Sequence, residues 1–149
     1  MREIKPMTAE DMESLIKEGV LECGITDAGQ EYLRARAKER EGSGLCYSGY
    51  VDGKLVGCGG VDLYWNGVGE IWMVLSKDAK EVPLHTMKGV RAIFDKVLQE
   101  NDLWRIQAAA RCDFPEACRI VEMLGLTKDC TMKKYGPDES DYFLYSMVI

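Results

Sequence analysis

The chain has 149 residues, with 19 Lys+Arg against 25 Asp+Glu and a formal net charge of −6. That length suits one domain with a core large enough to fold unaided, and 46% hydrophobic against 30% charged residues describes a globular protein, not a disordered one. A pI near 4.9 argues against nucleic acid or an anionic membrane as the main partner, because both draw basic surfaces.

The elements follow in chain order. After a short first strand, Thr8 opens Thr-Ala-Glu-Asp, an N-cap followed by acid, with Met12, Leu15 and Ile16 at helical spacing and Gly19 as the stop. Thr26-Asp27 reads as a second cap, and the helix it starts runs to about Arg40. Its interleaved charges, Arg34, Arg36, Lys38, Glu39 and Arg40, predict a solvated face. Strand-like runs at Leu45–Val51, Leu55–Tyr64 and Val68–Leu75 are separated by Asp52-Gly53 and Asn66-Gly67. Both dipeptides tolerate the positive φ of tight hairpin turns, so a three-stranded antiparallel meander is expected. Gly57, Gly59 and Gly60 in the middle strand signal a bulge or a close backbone approach.

The period then changes. Leu84, Met87, Val90, Ile93, Phe94, Val97 and Leu98 share one face of a helix from Pro83 to about Asn101. A strand at Leu103–Ala110 follows, then a capping box at Asp113-Phe-Pro-Glu116, a helix ending at Gly125, and strands at Leu126–Tyr135 and Tyr142–Ile149. The helix between Leu75 and Leu103 is long enough to make its flanking strands parallel. The result is an α/β domain with a mixed sheet: an antiparallel meander, one parallel βαβ crossover, and helices on both faces. Ligands of such sheets bind beyond the carboxyl ends of the parallel strands, here near Val74–Ser76, Ala110–Asp113 and the helix start at Pro83.

The six cysteines contain no Cys-x-x-Cys pair and His85 is the only histidine, so no metal site is expected. Scattered thiols without a signal region or a membrane-length apolar run point to a cytoplasmic domain with structural cysteines.

Three segments together resemble the GNAT superfamily of N-acetyltransferases. Gly69-Glu-Ile-Trp-Met-Val-Leu75 with Arg91-Ala-Ile-Phe-Asp-Lys-Val-Leu98 is similar to the family's fourth strand and cofactor-binding helix. Ala117-Cys-Arg-Ile-Val-Glu-Met-Leu-Gly-Leu126 is similar to its late helix, and Tyr135-Gly-Pro-Asp-Glu-Ser-Asp-Tyr-Phe-Leu-Tyr145 to its final hairpin, above all in small bacteriophage-encoded members. The resemblance implies the family fold over residues 1–149 and acetyl transfer from acetyl-CoA to a primary amine of a small molecule or peptide. It implies cofactor contacts from Val74, Ser76, His85, Thr86, Met87, Lys88, Gly89 and Asp113. It also implies a general base at Glu70.

The family's Gln/Arg-x-x-Gly-x-Gly/Ala pattern is departed from. Aligning on Arg91-Ala92 puts His85, Lys88 and Val90 at its three key positions, with Gly89 one residue out of register. Lys88 then either offers a point charge to phosphate or faces solvent. The family's usual tyrosine acid falls on Val121. Tyr64, Tyr135, Tyr142 and Tyr145 stand as substitutes, with Tyr135 named for the role. The rival reading is a degenerate phage or prophage protein of the same fold that binds a protein partner; a homodimer is a further expectation.

Overall fold

A computed structural model describes residues 2–21 and 27–149. The elements are β1 (Arg2–Pro6), α1 (Ala9–Glu18), α2 (Asp27–Arg40), β2 (Cys46–Val51), β3 (Lys54–Trp65), β4 (Val68–Leu75), α3 (Pro83–Glu100), β5 (Arg105–Arg111), α4 (Pro115–Met123), β6 (Thr127–Met132) and β7 (Tyr142–Val148). The expected cap at Thr26 lies outside the described residues. Seven strands form one sheet in the order β1-β2-β3-β4-β5-β7-β6. Only β4 and β5 are parallel; every other neighbouring pair is antiparallel.

Local chemistry accounts for the boundaries. Thr8 and Asp11 form a reciprocal capping box on α1, and the Gly19 amide bonds back to the Leu15 carbonyl at its end. Asp52 (φ 50°) and Gly53 (φ 79°) both take the left-handed conformation that a two-residue hairpin between β2 and β3 requires. The glycines of β3 serve both purposes anticipated for them. The β2–β3 register slips between Gly49 and Tyr50, next to Gly57. At Gly60, a Cβ would lie 2.3 Å from the Leu45 carbonyl oxygen, so β2 and β3 come together only over a bare backbone.

Two sequence expectations fail. Asp113 does not cap α4: the cap position is Phe114, with no side-chain hydrogen bond, and the Asp113 carboxylate is taken by Arg111 instead. An arginine fork two residues away competes better for a carboxylate than a backbone amide does. Nor is the charged face of α2 simply solvated, because Arg40 is only 7% exposed. Its guanidinium lies 3.8 Å from the Trp72 ring centre and forms a two-pronged bridge to Asp62, which also pairs with Arg36.

Helices cover both faces of the sheet. Met12 and Leu15 of α1 and Ala37 of α2 pack with Cys46, Cys58 and Val74 on one side. Phe94 and Val97 of α3, with Val121 of α4, pack against Val61, Ile71, Ile106 and Tyr145 on the other. Full burial of each such apolar side chain contributes about 1.5–3 kcal/mol. Cys46 and Cys58 belong to this core, and burial pushes the Cys58 thiol up to about 12, which keeps it protonated and inert. No described helix is long and apolar enough to cross a membrane.

Candidate active site

The parallel pair is short. β4 and β5 pair only at Val68–Arg105, Gly69–Ile106 and Glu70–Gln107, after which the strands separate. Strand alternation turns the backbone of every second residue of β4 toward β5: the Gly67 carbonyl accepts from Arg105, and the Leu75 carbonyl, at the far end, from Leu21. Met73 lies in the same phase but beyond the last β5 partner, so its N–H and C=O face the opening. A cavity of about 90 Å³ occupies this gap. Its walls are Ile71–Leu75 on β4, Ala108–Arg111 on β5, Phe114 at the cap of α4, and Ala117, Ile120 and Val121 on α4. The three alanines in β5 leave the gap open where larger side chains would close it.

A larger cleft of about 510 Å³ meets the gap, sharing Met73, Val74, Ala109 and Arg111 with it. Its far wall comes from Tyr32 and Leu33 on α2, and its near wall from Tyr135, Gly136 and Pro137 in the β6–β7 connection, with Tyr142 beside them. Arg40, Asp62, Glu70, Ile71 and Trp72, with Gly29 on α2, complete the lining.

Glu70 is half-buried, and its Oε2 accepts from the Tyr64 hydroxyl at 3.2 Å. Burial raises its carboxyl above the ordinary value more than the Tyr64 hydrogen bond and the neighbouring guanidiniums lower it. Burial, then the Glu70 charge, pushes Tyr64 up to about 12, and the same causes raise Tyr135. Both phenols therefore hold their protons through the neutral range. Tyr135 packs edge-on against Tyr142, with ring centres 5.2 Å apart.

Arg111 is buried where β5 ends. Its Nε and Nη2 donate to Asp113 at 2.9 and 3.1 Å, and its Nη1 to Asp138 at 3.0 Å. Hydrogen bonds from Ser140, then Arg111, pull the Asp138 carboxyl down to about 2. That clamp ties the connection carrying Tyr135 to the end of β5.

The residues expected at the site divide. Glu70, Tyr135 and Val74 line the same cleft. His85, Thr86 and Gly89 instead border a separate apolar hollow of about 60 Å³ between α3 and the β2–β4 segment of the sheet. Thr86 is buried and donates to the Ala79 carbonyl at 3.1 Å. Ser76 is fully buried and caps the short 3₁₀ turn at Lys77–Glu81 by accepting from the Asp78 amide. Met87 and Lys88 lie in the first two turns of α3, where Lys88 is exposed and Met87 partly so. Asp113 is held by Arg111. Of the substitute tyrosines, Tyr145 is fully buried and donates to Glu122, whereas Tyr64 reaches Glu70. Arg40 read as solvated, and Asp62, Tyr32 and Arg111 were not singled out; the run Ala108–Ala110 ending in Arg111 was the available signal, three small residues in a strand that should prefer branched ones.

No protein-family model and no curated protein sequence matches the chain. Solved structures do. Ard1 from Thermoplasma volcanium is similar over 99% of this chain and 97% of its own, at 17% identity and a TM-score of 0.78. The ribosomal-protein-S18-alanine N-acetyltransferase from Escherichia coli aligns over 100% and 94%, at 13% identity and 0.75. A GNAT-family acetyltransferase from Bacillus anthracis aligns over 99% and 94%, at 18% identity and 0.71. With its seven-stranded mixed sheet, single parallel pair and helices on both faces, the chain has the fold of the GNAT acetyltransferases.

Proposed function

We propose that the protein transfers an acetyl group from acetyl-CoA to a primary amine, with Glu70 as general base. The observation that carries this reading is the junction of two cavities at the β4–β5 separation, with Glu70 on the wall of the larger one. The narrow gap fits an amide-bearing acyl arm: the Met73 N–H and C=O, unpaired among the described residues, offer a hydrogen bond in each direction, and Ala108–Ala110 make room for it. The amides of the first α3 turn suit the phosphates, since Val82 caps them with no side chain and Pro83 has no N–H to lose. When bound, acetyl-CoA supplies the thioester carbon that an amine attacks.

The chain's own residues handle the protons. An ammonium is not a nucleophile, so Glu70 accepts the proton the amine must lose. Its raised pKa brings it nearer the amine's range than an ordinary glutamate, while it stays deprotonated above that value. The Tyr64 hydroxyl fixes the carboxylate's orientation. Tyr135 lines the same cleft and holds a phenolic proton, available to a leaving group.

Glu70→Gln keeps the shape and removes the base. Its kcat/KM should fall about 100-fold or more. The wild-type rate should rise with pH through the raised Glu70 pKa and then level off, because the base works only when deprotonated. That acid limb should vanish in Glu70→Gln. An acid limb unchanged in the variant would assign the base elsewhere.

A further inference from the structure

Which amine the cleft admits follows from how its charges are paired. Asp62 is held by both Arg40 and Arg36, and Arg111 by Asp113 and Asp138. Among the described residues, Glu70 is then the one acid of the cleft lining that forms no ion pair; its hydrogen bond comes from a neutral phenol. Two guanidiniums, Arg40 and Arg111, also lie in the lining. One ammonium at Glu70 is neutralised. A second, elsewhere in the cleft, meets among the described residues no carboxylate that is not already paired, so nothing there offsets the loss of its hydration.

The remainder of the lining is aromatic and apolar. Tyr32 on α2 and Tyr135 on the β6–β7 connection are 57% and 51% exposed, large rings left partly open at the cleft. Tyr142, Trp72, Leu33 and Pro137 add apolar surface. Such rings gain from covering a flat apolar group and attract a cation to their faces. A volume of about 510 Å³ falls within the range of small-molecule sites.

We infer that the acceptor is a small monoamine with an aromatic body, its ammonium at Glu70 and its ring against Tyr32 and Tyr135. The inference rests on the acetyl-transfer reading for the amine's fate, but its test does not. Calorimetric titrations of the full chain, without acetyl-CoA, compare phenethylamine, spermidine and an alanine-terminated tripeptide with its C-terminus amidated. Phenethylamine should bind about tenfold more tightly than spermidine and more tightly than the tripeptide. Tyr32→Ala, at an exposed position, should weaken phenethylamine about three- to tenfold and leave spermidine unchanged. Equal or tighter binding of spermidine or the tripeptide would overturn the inference, as would a Tyr32→Ala variant that binds phenethylamine like wild type. Acetyl-CoA turnover, measured separately, distinguishes the two readings. Transfer to spermidine in preference to phenethylamine sinks the acceptor class alone. The expected binding order without any turnover sinks acetyl transfer alone.

Discussion

Asp62→Ala is expected to lower stability by about 3–5 kcal/mol, the usual cost of removing one partner from a buried pair. The substitution strands Arg40, while Arg36 keeps its bond to Glu39. Arg40 and the Asp62 side chain are 7% and 17% exposed, and Arg36 shares the same carboxylate. Water cannot hydrate the Arg40 guanidinium freely, because it is pressed against the Trp72 ring. For a chain of this size the loss corresponds to a melting temperature roughly 10 °C lower, measurable by calorimetry. Replacing the pair together, Arg40→Met with Asp62→Leu, should recover most of it, since apolar groups need no partner. If the single variant melts like wild type, the pair is not the strut between α2 and the sheet described above.

The same carboxylate makes the fold sensitive to acid. Burial raises the Asp62 pKa, but hydrogen bonds and charge from Arg40 and Arg36 outweigh it, leaving the group below its ordinary 3.8. A depressed carboxylate contributes stability above the unfolded-chain value and loses it as pH falls through the folded value. Below about pH 4, Asp62→Ala should therefore lose less stability per pH unit than wild type.

Arg111→Met should release the wall that carries Tyr135. The Arg111 fork spans the end of β5 and the β6–β7 connection, reaching Asp138 and Asp113. Methionine keeps the stem's apolar packing and removes every donor. Hydrogen exchange should speed up at residues 133–141, while the β5–β7 ladder, paired from Arg105–Val148 to Arg111–Tyr142, keeps its protection. Turnover should drop by about 100-fold through misplacement alone. Asp138→Asn should reproduce the loosening because it breaks the same tie, whereas Asp113→Asn should not. Unchanged exchange in Arg111→Met would show that Gly136, Pro137 and the Asp141 bonds to Lys133 and Lys134 position the wall unaided.

The parts legible in the sequence were those set by local chemistry. Asn66-Gly67 marked its turn, Val68–Leu75 was bounded correctly, and the periodic apolar face from Leu84 to Leu98 gave α3 to within a residue. Asp113 misled because a local capping rule competes with an arginine that the sequence places two residues earlier, and the stronger bond wins. Arg36 and Arg40 read as solvated because their partner, Asp62, lies on a strand across the sheet. The site suffered from the same limitation. Glu70 was legible as a candidate through the strand that carries it, but Tyr32, Glu70 and Tyr135 are far apart in the chain and line one cleft only because α2, β4 and the β6–β7 connection converge. The opening between β4 and β5 depends on where pairing stops, and no residue pattern announces that. His85 and Gly89, placed near the cofactor by alignment on α3, also border the hollow beneath β3, which no residue pattern announces.

The gap between β4 and β5 is the feature on which the proposed acetyl transfer rests, and calorimetric titration with acetyl-CoA tests it most directly. Wild type should show saturable one-to-one binding. Ala109→Leu, which fills the junction of the two cavities, should abolish the heat while the circular dichroism spectrum stays native. No binding to wild type, or equal binding to the filled variant, would contradict the account.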